Sequence, residues 1–360
     1  MFGNSFWRGR NVLITGHTGF KGSWLAYWLA RSGAHVSGIA LPPPTSPNLF
    51  DALSLADLVE HHCADIRDLD GIQPIIKQSR PHVVFHLAAQ PLVRRSYAAP
   101  LETWQVNVMG TVHVLEALRA QGCPCVVIII TTDKVYKNCE WLHAYRETDP
   151  LGGYDPYSAS KAAAELAVAS WRQSFAGDPG GLALASVRAG NIIGGGDWAE
   201  DRLVPDCVRA IVSGNSLVLR NPVARRPWQH VLEPLYGYMR LAECIIGAKA
   251  AGDGARLSML NGEFNFGPNV QSNRTVAELA DEVAKSWQMN VERCVVPSSL
   301  HEASELNLST EKAYRLMGWE PRLNFEETVA RTMKWYRAFY EEGGRNARAL
   351  CDSDIDAYVR

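Results

Sequence analysis

At 360 residues, 47% hydrophobic and 21% charged, the chain has enough apolar material for one large or two fused globular units. A formal net charge of −2, without a basic stripe or a block of like charge, argues against nucleic acid and against an interaction tail. No apolar run nears the roughly 20 residues of a membrane helix. "MFGNSFWRGRNVLITG" lacks the signal-peptide pattern, and of eight scattered cysteines only Cys123 and Cys125 lie close together, with no CxxC pair. The expectation is a cytoplasmic protein with reduced thiols, binding no metal and acting on a small molecule.

In chain order, strands are expected at 11–15, 35–41, 82–89, 125–131 and 182–190, with helices at 22–31, 69–79, 101–121 and 157–175. Several strands, such as "CVVIIIT", are apolar on both faces, as parallel strands between helix layers are. The βαβα alternation predicts an α/β, Rossmann-like, doubly wound parallel sheet. After about Gly190 the texture becomes irregular, with helices expected near 203–213, 233–248, 275–287 and 325–341. The reading is a dinucleotide-binding domain over 1–190 and a smaller C-terminal lobe over 191–360, some of whose segments return to the sheet. Ligands of open α/β sheets sit outside the carboxyl ends of the strands, so chemistry is sought there.

The first strand runs into "GHTGFKG", with Gly16, Gly19 and Gly22, and then into a helix. Glycine allows a tight turn and a close backbone approach to a pyrophosphate, and the helix N-terminus adds its positive dipole end. In "YDPYSASK", Tyr157 and Lys161 stand at i, i+4 and share a helix face. A phenolate beside an ammonium can take a proton from a sugar hydroxyl. The end of the fourth strand, "TTDKVYKN", places Thr132, Asp133 and Lys134 together: either a surface ion pair, or an acid and a base at the mouth of a site.

The GxxGxxG spacing resembles the short-chain dehydrogenase/reductase superfamily. More closely, "GHTGFKGSWL", "AAQPLVRRSY", "TTDKVYKN", "YDPYSASK", "RAGNIIGGGDWAEDRLVPD" and "RRPWQHVLEP" resemble the cytidine diphosphate-glucose 4,6-dehydratases over almost the whole chain. The resemblance implies redox-neutral loss of water from CDP-glucose with NAD as cofactor. Tyr157 would take the C4 hydroxyl proton, Lys134 the C5 proton, and Asp133 would protonate the leaving C6 hydroxyl, with Thr132 orienting the sugar and Lys161 supporting Tyr157. Cofactor contacts are implied for Gly16, Thr18, Gly19, Phe20, Lys21 and Gly22, for Asp65 and Ile66 after a third strand, for Leu87, Ala88, Ala89 and Gln90, and for Thr131, Tyr157 and Lys161. Asn107 matches a structural asparagine. The second strand ends with neither the acid that reads an NAD ribose nor an arginine for a 2′-phosphate; Asp65 tips the choice to NAD. Substrate contacts are expected from Arg95, Ser96, Asn191, Arg220 and Arg226, with Arg225 and the glycines 194–196 as further candidates. A homodimer is expected, because relatives pair through the region of the helix that carries Tyr157. Alternatives are a nucleotide-sugar 4-epimerase, a 4,6-dehydratase of another nucleotide sugar, and a non-catalytic NAD-binding protein.

Overall fold

A computed structural model describes residues 5–122, 124–175, 181–289, 292–296 and 305–360; Cys123 lies outside them. Its centre is a parallel sheet of seven strands: β1 (Asn11–Thr15), β2 (His35–Ala40), β3 (Glu60–Cys63), β4 (Val83–His86), β5 (Val126–Ile130), β6 (Ala183–Arg188) and β7 (Glu263–Asn265). Their spatial order is β7-β6-β5-β4-β1-β2-β3, so the order reverses beside β1, which pairs with both β2 and β4. A crevice opens there at the carboxyl ends of the strands.

The side-chain period of two sorts β-residues into two layers. Val12, Ile14, Phe85, Val126 and Ile128 enter one apolar core, whereas Leu13, Val84, Val127 and Ile129 enter the other. Both faces being covered explains the unbroken apolar runs of β4 and β5. β3 carries "EHHC" and is largely exposed at the sheet edge, which is why it shows no apolar run.

Helix α1 (Phe20–Arg31) follows β1 at once, and α2 (Leu69–Ser79) is capped by Asp68. The single helix expected over 101–121 is three pieces: Pro100–Trp104, a π-type turn over Gln105–Met109, and α3 (Gly110–Gln121). The widened turn carries Asn107 into the interior, where it bonds both backbone groups of Gln90 and the Ser160 hydroxyl. Helix α4 (Pro156–Ser174) starts at Asp155, whose carboxylate caps the Ser158 N–H.

Beyond residue 190 lie α5 (Leu203–Ser213), α6 (Leu232–Ala250), α7 (Val276–Trp287), α8 (Phe325–Glu341) and α9 (Ala347–Val359). Capping boxes at Thr275/Glu278 and Asn324/Glu327 open α7 and α8. Three helices, Gly254–Leu260, Glu311–Met317 and α9, were not expected. As anticipated, one late segment returns to the sheet: β7 pairs parallel with β6. Gly195 and Gly196 serve packing. A Cβ at Gly195 would fall on the Trp335 indole and one at Gly196 on Leu49, whereas Gly194 lines the cleft described below.

Burial lowers three histidines, His17 to about 4, His86 to about 3 and His230 to about 3. Their folded-state values lie below the ordinary 6.5, so below that pH the unfolded chain takes up protons that the folded chain refuses. Stability is therefore full above 6.5 and is lost as pH falls toward the folded values. Each histidine should cost on the order of 2 kcal/mol between pH 6.5 and about 5. Thermal melts across that interval should fall accordingly, and a flat profile would contradict this burial.

Candidate active site

The ends of β1, β5 and β6, the start of α4 and the segments after residue 190 enclose a cleft of about 390 Å³. Thr132, Asp133, Lys134, Tyr157 and Asn191 all line it, with Phe20 and Lys21 at the β1 end and Arg220 and Arg226 opposite.

Asp133 is 1% exposed. Its Oδ1 accepts from the Thr132 hydroxyl at 3.0 Å and from Lys134 Nζ at 2.9 Å, and its Oδ2 accepts from Asn191 Nδ2 at 3.0 Å. The Lys134 side chain keeps 31% exposure, so the pair faces the cleft from within the wall. A bland surface pair is thereby excluded. Asn191, expected to touch substrate, lines the cleft and also holds the carboxylate, from a left-handed backbone with φ +52. A Cβ at Gly190 would fall on the Asp133 carboxyl. Gly190→Ala should therefore displace that carboxyl and cut turnover by roughly 10²-fold while the fold persists; a kinetic assay and circular dichroism on the same sample test this.

Tyr157 is 8% exposed. Burial pushes its phenol up to about 12, against a lowering hydrogen bond from Thr132. Lys161, one turn on, is buried, donates to the Ile130 carbonyl at 3.3 Å and is lowered to about 8 by burial, with Glu165 opposing. In the protein alone, burial is the largest influence on Tyr157, ahead of Thr132, Asp133 and Arg202. Lys21 is lowered to about 7 by burial and by Arg202 and Lys161, so the β1 end of the cleft is strongly cationic.

The glycine turn forms a dinucleotide seat. Gly16 has φ +77, and a Cβ there would lie 2.7 Å from the Ala88 nitrogen; one at Gly22 would fall on the Gly16 carbonyl. A Cβ at Gly19 would meet only the Gly16 oxygen, at 3.5 Å, and Gly19 opens α1 with no side-chain cap. The first N–H groups of α1 are thus left without a side-chain cap, as an anion-binding helix terminus requires. Thr18 ties the turn to the Leu41 carbonyl.

Other expected residues are engaged within the protein. Asp65 is chelated by Arg67, which holds its carboxyl below the usual range, and Ile66 packs against Gly110. Leu87 and Ala88 bond back to Thr15, and Gln90 is tied to Leu92 and Thr103. Ala89 sits half-buried in the same loop. The Thr131 hydroxyl points to Glu165. Arg95 pairs with Glu102 and Ser96 bonds the Val93 carbonyl; neither lines the cleft, and Arg94 does. The segment Val93–Ala98 is helical, so adjacent side chains diverge. Arg225 bonds the Asn273 carbonyl and stays out of the lining, whereas Arg220 pairs with Asp201 at the cleft. Sequence reasoning missed Arg202, which pairs with Asp197 and acts on Tyr157, and Tyr136. Arg202 lay within a quoted motif, but nothing in its spacing set it apart.

Fold and site together define an NAD(P)-type Rossmann protein of the short-chain dehydrogenase/reductase class. A model of the GDP-mannose 4,6 dehydratase family matches residues 13–332. The chain is 46% identical over 344 residues to CDP-glucose 4,6-dehydratase of Salmonella typhimurium, covering 94% of each. Solved structures with the same fold include dTDP-glucose 4,6-dehydratase of Bacillus anthracis in complex with NAD (TM-score 0.77, 21% identity, 92% of this chain and 98% of that one). Another is the UDP-glucose 4-epimerase of Thermus thermophilus complexed with NAD (TM-score 0.76, 26% identity, 91% and 98%). The chain belongs to the GDP-mannose 4,6 dehydratase family.

Proposed function

We propose that this chain converts CDP-D-glucose to CDP-4-dehydro-6-deoxy-D-glucose and water, with NAD as its cofactor. The observation that carries the reading is the buried Asp133–Lys134 contact at 2.9 Å in the wall of the cleft that Tyr157 also lines. A 4-epimerase has no use for that acid–base pair. The 46% identical relative supports cytidine as the base. The glycine turn and uncapped α1 terminus fit the cofactor pyrophosphate. NAD, when bound, takes a hydride from C4 of the sugar and later returns it to C6.

Tyr157 takes the C4 hydroxyl proton, supported by the Lys161 ammonium on its own helix face. The ketone so formed acidifies C5–H. Lys134, as the free amine, removes that proton, and Asp133, as the acid, gives its proton to the C6 hydroxyl, which departs as water. The pair is then an ammonium beside a carboxylate. As hydride reaches C6, the Lys134 ammonium gives its proton back to C5, and the proton that Tyr157 took from the C4 hydroxyl is the one that restores Asp133, so the cycle needs no outside proton source.

In this reading Arg226 and Arg220, which line the cleft, meet the diphosphate, with residues 1–190 carrying the cofactor and 191–360 most of the nucleotide-sugar grip. Leu101, Trp104, Met109 and Leu166 are exposed on neighbouring elements around α4, and a homodimer through this face belongs to the proposal. Among the described residues no helix is long and apolar enough to cross a membrane, in keeping with a cytoplasmic enzyme. The test is incubation of purified protein and NAD with CDP-, dTDP-, UDP- and GDP-linked glucose. Formation of an alkali-absorbing 4-keto sugar from CDP-glucose first and fastest is expected; interconversion with CDP-galactose alone would mean an epimerase.

A further inference from the structure

A buried ionic network that the proposed chemistry does not use lies directly behind the reacting residues. Glu165 is 3% exposed and stands one turn beyond Lys161 and two beyond Tyr157, on the same face of α4. Its carboxylate takes four donors: the Thr131 hydroxyl at 2.5 Å, the Ser186 hydroxyl at 2.6 Å, and Arg188 Nε and Nη2 at 3.0 and 3.1 Å. Arg188, 2% exposed, reaches on to the Tyr136 hydroxyl at 2.8 Å and the Glu147 carbonyl at 3.1 Å. Tyr136 in turn donates to Asn265 on β7 and lines the cleft.

An enclosed ion pair of this kind roughly breaks even against apolar packing, so stability alone is a weak reason for it. Its position supplies another. The Lys161 ammonium is buried with a single hydrogen bond, to the Ile130 carbonyl. The charged and titratable groups around it are Tyr157 and Glu165 from α4, His86 from the end of β4, and Lys21 from α1. His86 is bonded on both ring nitrogens, to Thr15 and Thr111, and burial keeps it neutral at working pH. Lys21, lowered to about 7, offers no negative charge and repels Lys161 when protonated. Among the described residues Glu165 is therefore the anion that stabilises the Lys161 charge, and its four donors hold the carboxylate in place.

We infer that Glu165 is a positioning residue for the dehydratase chemistry proposed above: it keeps Lys161 an ammonium, and Arg188 holds Glu165 in register with Thr131 and the end of β5. Lys161 stands at about 8, within the working range, with burial pulling it down and Glu165 already opposing, so loss of this counter-ion should discharge it further. Removing the carboxylate charge should discharge Lys161 at lower pH. Removing Arg188 takes away a cation and leaves the carboxylate group in the protein, and should not. A merely structural network predicts equal damage from either change.

The experiment is a pH titration of lysine side chains labelled with carbon-13 at Cε, in the cofactor-free protein, the Lys161 signal being assigned by its loss in Lys161→Arg. Its midpoint should fall by about one pH unit in Glu165→Gln and in the double variant Glu165→Gln/Arg188→Met, and should not fall in Arg188→Met. The pH at which turnover levels off should move down with it. The double variant buries no unpaired charge, so it remains informative where a single variant fails to fold. An unchanged midpoint in the double variant, or an equal fall in Arg188→Met, overturns the inference. Failure of the wild-type protein to turn over CDP-glucose would refute the dehydratase reading alone, since the titration needs no substrate.

Discussion

Lys134→Met should still oxidise the sugar at C4 but lose water about 10²–10⁴-fold more slowly, the range that a positioned base contributes. Reduced cofactor would then accumulate as a burst, while the 4-keto-6-deoxy product, assayed by its absorbance in alkali, would nearly vanish. Methionine matches the length of the lysine stem and leaves the cleft wall packed, so the variant isolates the amine. The geometry makes the effect large: Lys134 Nζ and Thr132 share one oxygen of a carboxyl that is buried and pinned on its other side by Asn191. Nothing else described on that wall offers both a base and an acid in contact. Normal elimination by the variant would leave a sugar oxidoreductase of the same fold and remove the dehydratase reading.

Tyr157→Phe acts earlier. It should abolish the reduced-cofactor burst itself, with a loss of about 10³-fold or more in the first half-reaction, because the C4 hydroxyl proton then has no acceptor. The wild-type pH profile should carry two marks. Burial pushes the phenol up to about 12, so the phenolate fraction, and with it C4 oxidation, grows as pH rises from neutrality. Lys161 is lowered to about 8, so its supporting charge is lost as pH climbs through that value. The two effects cancel above pH 8, so the rate should rise up to about pH 8 and level off above it. Pre-steady-state absorbance across that range measures both limbs, and a profile that still climbs well above pH 8 would rule out a role for the Lys161 charge.

Three relations were legible from local sequence because each is carried by short-range geometry. The glycine spacing after β1 signals a tight turn and an open helix terminus; Tyr157 and Lys161 share a helix face; Thr132, Asp133 and Lys134 follow one another where a buried strand ends. The doubly wound sheet was equally visible, since β4 and β5 are apolar on both faces and only a strand covered by two layers needs that. Even the return of a late segment was anticipated, although nothing located it at Glu263–Asn265.

What the tertiary structure alone decided is which side chains meet across long stretches of chain. Asn191 lies 58 residues from Asp133 yet fixes its carboxylate, and Arg188 crosses from β6 to neutralise Glu165 on α4. Arg95 and Ser96 turned away from the cleft while Arg94 faced it, a matter of helix phase over one residue. The sign of the shift at Tyr157 also belonged to the fold: an adjacent lysine is written in the sequence, but the depth of burial that raises the phenol is not. Local propensity and spacing act over a turn or a strand, whereas charge pairing and desolvation depend on what the folded chain packs against each group.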